Sequence, residues 1–578
     1  MADPLREPGF LTDHQLRPVL AERDIFLTAC PGSGKTRAAS VRVARLADQG
    51  TRVAACSYTN VGVEQIRRVL AMDLRVQLDS RHTIDTLHGF LLRYVLYPFG
   101  HLATGSPVTP RLVADDAGWR DVIFDGNNRI RLAVSSFRFR PDGSLCVRSV
   151  PARFPLTEND AAKKGQADAL RLKYIAAKAG IVSFDDAMYW SLRVLEEHPY
   201  VAGAIAGRFD ELLVDEAQDT SELQLACVRA LSDTGRLQSL VLVGDLEQSI
   251  SAYTGASREG CEALAEHRGL QAIDLTQNHR SSQKICDVAV HFCARDEPDR
   301  AVGKDAACPH EPEVCVYAVD QPQQALLWFR ERLAELGEDL ADAAVLARTN
   351  ALVAELNGQT TPVDVRPRPL AIGRAVSALR GAGTLGRRQV EAIDRIIAFT
   401  AWGADDLSEL ESDQRWVLRQ ATMQLLRAAP DLHQNLRAWI QGAARTLAVV
   451  AEALVESPAH KSGQVLASAA SQEGHVAADV FAPAATDLRA QTVHDIKGES
   501  RGTVLVVVDR LRSRRRGAQS DLWSRPLLGE AVGEEDAEEL RIAFVALTRA
   551  RRYCALGLPD NCGDPVLAAF EGAGFRIG

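Results

Sequence analysis

The chain has 578 residues and a formal net charge of −9. Hydrophobic residues make up 46% and charged residues 25%, ordinary globular composition with material for about four domains at roughly 150 residues each. The acidic total excludes a global field that draws the molecule to nucleic acid, though not a local basic stripe, and with no run approaching a membrane span and no signal-peptide pattern in "MADPLREPGF" a soluble, cytoplasmic protein is expected.

In chain order, the first informative stretch is "DIFLTACPGSGKTRAASVRVARLADQG", which reads as strand, glycine loop and helix. Residues 25–28 supply the apolar strand, Gly32 and Gly34 let the loop curl, and helical spacing runs from Lys35 to Gly50. The backbone N–H groups of such a loop and the N-terminus of the helix suit a triphosphate. Lys35 would reach the outer phosphates and the Thr36 hydroxyl would ligate magnesium. The loop departs from GxxxxGKS/T at its first position, which is Ala29.

Basic stripes follow in "NNRIRLAVSSFRFR" and "KKGQADALRLKYIAAK", with two more in "RPRPLAIGRAVSALRGAGTLGRR" and "RLRSRRR". Next comes "FDELLVDEAQDTS", where an apolar run ends in Asp215 and Glu216, with Asp219 close behind. Like charges at the end of a buried strand repel and are costly to desolvate, so a cation is expected there. With a phosphate loop upstream, Asp215 suits a magnesium ion bridging nucleotide phosphates, and Glu216 is placed to orient and deprotonate an attacking water. The eleven cysteines include no CxxC pair. "CPHEPEVC", with Cys308, His310 and Cys315, lacks a second ligand pair, so reduced thiols are expected.

The ordered series of motifs resembles superfamily 1A helicases, the group of UvrD, Rep and PcrA. "LTDHQ" resembles the Q motif, "ACPGSGKT" motif I, "CSYTN" motif Ia, and "TIDTLHGF" the motif after it. "LLVDEAQDTS" resembles motif II, "LVGDLEQSISAYTGA" motif III, "LTQNHRSS" motif IV and "VLARTN" motif IVa. "TVHDIKGES" resembles motif V and "EELRIAFVALTRAR" motif VI, so the likeness runs from residue 11 to residue 551 in family order. It implies an α/β fold of two RecA-like P-loop NTPase domains, parallel sheets flanked by helices, each with an inserted, mainly helical subdomain.

The resemblance also implies roles. ATP would lie against Gln15, which reads the adenine, and against Pro31, Gly32, Ser33, Gly34, Lys35, Thr36 and Arg37. His279 takes the place of a tyrosine that stacks on the base, and Glu499 that of a ribose contact, one position early. Mg²⁺ would sit on Thr36 and Asp215. Gln248 would sense the γ-phosphate, and Arg280 and Arg549 would reach it as arginine fingers. Tyr58, Thr59, Asn60, His88, Phe90, Tyr253, Thr492 and His494 would meet DNA; motif III lacks the usual arginine, with Thr254 following Tyr253. Aromatic faces grip a strand without reading its sequence, at roughly 1–3 kcal/mol per stacked base.

The motif positions imply core 1A at 1–90 and 185–275, with subdomain 1B at 91–184. They imply core 2A at 276–365 and 485–578, with a short subdomain 2B at 366–484. Within 1B, "SLCVRSVPARFPLTEND" reads as irregular and "ENDAAKKGQADALRLKYIAAKAG" as helical; in 2B, "RQVEAIDRIIAFTAWG" and "DLHQNLRAWIQGAARTLAVVAEALVES" read as helices. With 27 residues after Arg551, no appended nuclease domain is expected. The implied activity is an ATP-dependent translocase and helicase on single-stranded or partly duplex DNA, moving 3′ to 5′. An alternative is a DNA-sensing ATPase subunit acting through a separate nuclease, as in compact helicase-like subunits of antiphage systems such as Gabija. An RNA helicase is a third.

Overall fold

The computed structural model describes residues 10–22, 24–113, 121–124, 130–147, 150, 154–250, 256–357, 365–383, 385–404, 407, 410, 412–469, 472–481, 488–509 and 519–578. Two compact units divide the chain. The first comprises Met1–Gln321, Leu327–Leu346 and Val493–Gly578, the second Pro322–Leu326 and Ala347–Thr492.

In the first unit, β1 (Ile25–Ala29), β2 (Val53–Ser57), β3 (Thr83–Thr86), β4 (Glu211–Asp215), β5 (Ser239–Gly244) and β6 (Gln271–Leu275) form a sheet ordered β6–β1–β5–β4–β2–β3. Every neighbouring pair is parallel. Both faces are covered, which is why these strands read as unbroken apolar runs rather than alternating ones. Phe26, Ala54, Leu212 and Leu242 join one buried cluster, while Ile25, Ala55, Leu213 and Val243 join another on the opposite face. The register sets Thr28 opposite Gly244 and Asp215 opposite Val243, so the glycine loop, the acidic pair and Asp245 leave the sheet along one edge. Helices α1 (Asp13–Leu20), α2 (Lys35–Asp48) and α3 (Asn60–Arg68) follow the order expected of the loop and of motif Ia.

A buried ion pair pins α2 to the far end of β4. Arg42 donates to Glu211 at 2.9 and 2.7 Å, and the two side chains are 1% and 2% exposed. Arg42 also donates to the carbonyls of Pro18 and Ala21 at 2.8 and 2.7 Å. Removing one partner of such a pair strands a charge in the core, so Arg42→Ala is expected to destabilise this unit by about 3–5 kcal/mol. Chemical denaturation checks it; a loss below about 1 kcal/mol would show that water or a rearrangement relieves Glu211.

The stretch expected to be irregular contains a strand. Leu145–Val147 pairs antiparallel with Phe137–Phe139 across a turn at Gly143, whose φ is 82°. The reason lies in the alternation: Phe137, Phe139, Leu145 and Val147 are all buried on one face. The following helix, α4 (Glu158–Lys178), matches its expected span.

A second, six-stranded sheet includes β7 (Glu313–Tyr317), β8 (Ala343–Ala347), β9 (Arg501–Val507), β10 (Ala550–Pro559) and β11 (Arg576–Ile577) in the order β8–β9–β10–β7–β11, with the strand Ala490–Thr492 beside β8 at its edge. The pairings of β9 with β10, β10 with β7 and β7 with β11 are parallel. Helix α5 (Glu534–Leu547) buries Ile542, Phe544 and Val545 in the same cluster as Val504, Val506 and Cys554. Its last turn hands the chain to Thr548 and Arg549 beside β10.

The second unit is helical. Pro367–Ala382, Arg387–Trp402, Ser412–Ala428 and Leu436–Leu454 enclose Ile372, Ile397, Leu425, Trp439 and Leu447. The two helices read from "RQVEAIDRIIAFTAWG" and "DLHQNLRAWIQGAARTLAVVAEALVES" are present. Among the described residues, no helix is long and apolar enough to cross a membrane.

Candidate nucleotide site

The glycine loop holds a shape that side chains would block. Gly32 and Gly34 sit at φ 71° and 80°, left-handed conformations that favour glycine. A Cβ at Gly32 would lie 2.4 Å from the Cβ of Arg280, and one at Gly34 would lie 2.4 Å from Gln15 Nε2. Pro31 and Ser33 are buried beside them. Gln15 caps this loop rather than standing free. Its Nε2 donates to the Ser33 carbonyl at 2.8 Å, while its Oε1 accepts from the Thr12 N–H at 3.0 Å in a capping box. Arg37, exposed on the first turn of α2, lays its guanidinium 4.0 Å over the Phe10 ring. From the second-sheet side, the His279 N–H donates to the Gly32 carbonyl at 3.0 Å. Three buried polar atoms around the loop, His14 Nδ1, Ser33 Oγ and His279 Nε2, have no partner among the described residues.

The acids at the end of β4 are drawn into this loop. Glu216 occupies a left-handed conformation at φ 54° and ψ 42°, uncommon for a residue with a Cβ and a local strain that the surrounding contacts must hold. Its Oε2 accepts from Lys35 Nζ at 2.7 Å and from Gln218 Nε2 at 2.7 Å. Asp215 Oδ2 accepts from the Thr36 hydroxyl at 3.1 Å. The two carboxyls titrate apart. Burial, then the charge of Glu216, raises Asp215 to about 6. Burial also pushes Glu216 up, but Lys35, Lys497 and the bond from Gln218 outweigh it and hold the carboxylate at about 2. Asp219, raised chiefly by burial, is clamped by Lys497 Nζ at 2.7 and 2.6 Å.

The residues expected as arginine fingers converge on the same point. Arg549 is 1% exposed, and its Nη2 donates to Gln248 Oε1 at 2.8 Å. Burial, then the neighbouring Arg280 charge, lowers it to about 9. Arg280 donates to the Thr548 carbonyl at 3.1 Å and is also lowered by burial, offset in part by Cys30, Glu216 and Asp245. Gln248 Nε2 donates to Asp245 Oδ2 at 2.6 Å, which fixes its amide so that the oxygen faces Arg549. Two cations held against their preference beside a phosphate loop make a site that favours an anion.

Three successive carbonyls of motif III are each met by a side chain from the second-sheet side. Lys497 Nζ donates to Gln248 O at 2.7 Å, Arg541 Nε to Ser249 O at 2.7 Å, and His494 Nε2 to Ile250 O at 2.9 Å. Lys497, Arg541 and Asp245 carry this geometry without having been singled out from sequence, although each stands inside a motif quoted above.

The residues expected to meet DNA divide. Tyr58 is half-buried; Thr59 and Asn60 are exposed, and the Thr59 hydroxyl caps α3 by accepting from the Gly62 N–H at 3.0 Å. His88 is half-buried, its ring centroid 5.7 Å from Phe184, and burial lowers its pKa. Phe90 corrects the expectation. At 1% exposure it packs 5.0 Å from Tyr94 and 5.8 Å from Phe209, so the apolar run "LHGFLL" made it a core ring with no face left for a base. Thr492 is buried in its strand. Glu499 turns its carboxylate to Arg501 at 2.6 Å, and in this conformation its backbone carbonyl, not its side chain, accepts from Arg549 at 3.4 Å. Tyr253 and the stripe "RLRSRRR" lie outside the described residues.

In sequence, the chain is similar to known helicases. The family model for the UvrD/REP helicase N-terminal domain matches residues 153–267. DNA helicase II of Haemophilus influenzae is 29% identical over 179 residues, 30% of this chain and 24% of that protein. DNA helicase II of Salmonella typhimurium is 27% identical over 294 residues, 48% and 39% of the respective chains. The ATP-dependent DNA helicase PcrA of Staphylococcus aureus is 24% identical over 351 residues, 57% and 46% of the two. The matched parts thus span less than half the length of these relatives. Over these parts, which include the acidic pair at the end of β4, the chain is similar to helicases of the UvrD/Rep/PcrA type.

Proposed function

We propose that the chain is an ATP hydrolase stimulated by DNA, which converts hydrolysis into movement along a single strand and so into unwinding of partly duplex DNA. The observation that carries this reading is the meeting of Arg549 with Gln248 at 2.8 Å, beside the Lys35–Glu216 pair at 2.7 Å. The two parallel sheets, with a phosphate loop on one and arginines from the other, support two RecA-like cores with ATP between them. Resemblance alone supports 3′-to-5′ direction.

The residues divide the chemistry. Lys35 trades Glu216 for the outer phosphates, and Glu216 accepts a proton from the attacking water. Arg280 and Arg549 neutralise charge that grows on the transferred phosphoryl group, and Gln248 links that charge to motif III. Thr36 and Asp215 suit Mg²⁺: both present hard oxygen, 3.1 Å apart, beside the glycine loop. When bound, the ion would supply neutralisation of phosphate charge. Tyr58, Thr59, Asn60, His88, Thr492 and His494 are proposed to contact the strand.

Lys35→Ala is expected to abolish measurable turnover, and single-stranded DNA is expected to raise turnover of the unaltered chain. Steady-state phosphate release with and without single-stranded DNA, beside an RNA oligonucleotide of the same sequence, tests this. No stimulation, together with an unchanged rate in Lys35→Ala, overturns the reading.

A further inference from the structure

Arg295 belongs to no motif, yet it joins the second-sheet side to the nucleotide site. Its Nη2 donates to Asp245 Oδ1 at 2.9 Å, and its Nη1 donates to Asp299 at 3.1 and 2.9 Å. The guanidinium carbon also lies 5.2 Å over the Phe544 ring of α5. The adjacent backbone repeats the link, since the Ala294 N–H donates to Glu247 Oε2 at 3.0 Å. Asp245 is 1% exposed and spends its other oxygen on Gln248 Nε2 at 2.6 Å. A continuous run of charge-assisted bonds therefore passes from Asp299 through Arg295, Asp245 and Gln248 to Arg549.

We infer that Arg295 is a positioning residue for hydrolysis: it fixes the Asp245 carboxylate, which fixes the Gln248 amide, which sets where Arg549 points. The inference rests on the ATPase reading above. Geometry gives the reason that arginine is needed. One planar fork spans Asp245 and Asp299 together, whereas a lysine ammonium is a single point that serves one of them well. Without the fork, Asp245 keeps Gln248 and the Glu247 N–H as partners but loses its only described positive neighbour within bonding distance. The carboxylate is then free to shift, and the Gln248 amide bonded to it shifts with it, so the oxygen that accepts from Arg549 is displaced.

Arg295 also lines a cavity of about 510 Å³ with Cys30, Asp245, Asp274 and Asp299. That opening lets a small cation replace a deleted side chain.

The test is steady-state ATPase of the full chain with single-stranded DNA. Arg295→Ala is expected to lower kcat about 10–100-fold, the usual effect of a misplaced catalytic group, with KM for ATP changed less than about threefold. Arg295→Lys should recover part of the loss, and free guanidinium should restore turnover to Arg295→Ala. In a Gln248→Ala background, Arg295→Ala should add less than about twofold, because the two act in one line. A kcat of Arg295→Ala within about twofold of the unaltered chain overturns the inference, as does an undiminished multiplicative loss in the Gln248→Ala background. A loss that tracks a lowered melting temperature, unrelieved by lysine or guanidinium, also overturns it and marks Arg295 as structural. Absence of ATPase in the unaltered chain fails the earlier reading instead, so the two failures are distinct.

Discussion

Arg549→Ala is expected to reduce kcat for ATP by about 10³–10⁵-fold, the range for removal of an arginine finger. The substitution should leave the fold intact. Burial and Arg280 lower Arg549 to about 9, which means that the folded chain disfavours its charged form when no anion is bound. Truncation also gives up its bonds to Gln248 and to the Val545 and Glu499 carbonyls, so the melting temperature without nucleotide is the control that separates lost turnover from lost stability. Arg549→Lys should not rescue turnover, because an ammonium cannot keep the bond to Gln248 and also reach a phosphate. A loss below about tenfold with single-stranded DNA present would exclude Arg549 from the transition state.

Glu216→Gln should separate binding from turnover. A positioned base contributes about 10²–10⁴ in rate, and that is the loss expected in kcat. Binding should persist or tighten, and the sign follows from the coupled pair. The Glu216 charge is one of the causes raising Asp215 to about 6, so neutralising it lowers Asp215 and makes the ionised form easier to reach. Loss of the Glu216 charge also relieves repulsion with the anionic phosphates, and that favours the nucleotide. Titration with a fluorescent nucleotide beside a turnover assay checks both halves. Turnover within about tenfold of the unaltered chain would show that another group takes the proton. The resting carboxylate, held at about 2 mainly by Lys35 against its burial, is a weak base. When Lys35 turns to the phosphates, that restraint goes, so the base strengthens only once substrate has arrived.

Much of the nucleotide site was legible in sequence because its parts are local. A strand, a glycine loop and a helix N-terminus are contiguous, and the phosphate cradle they form depends on backbone N–H groups and two glycines rather than on distant partners. The acidic pair is equally local, since β4 carries it to the sheet edge by register alone. Three features were not legible. Phe90 sits in an apolar run whose pattern cannot tell a core ring from an exposed one; packing against Phe209, far along the chain, decided it. Glu499 was assigned by its place in a motif, but a neighbouring arginine two residues on competes for its carboxylate. Arg295 has no signature, because its meaning comes from Asp245, a residue on the other sheet.

The row of bonds from Lys497, Arg541 and His494 to the carbonyls of residues 248–250 has a mechanical consequence. Backbone oxygens present no charge that changes when a phosphate is cleaved, so these bonds persist through turnover unless geometry itself pulls them apart. Any swing of one sheet against the other that spares them is confined to rotation about that short line, like a door on its pin. Points near the pin shift little, whereas surfaces farther out sweep through larger arcs, so small changes at the phosphates become larger travel at the periphery.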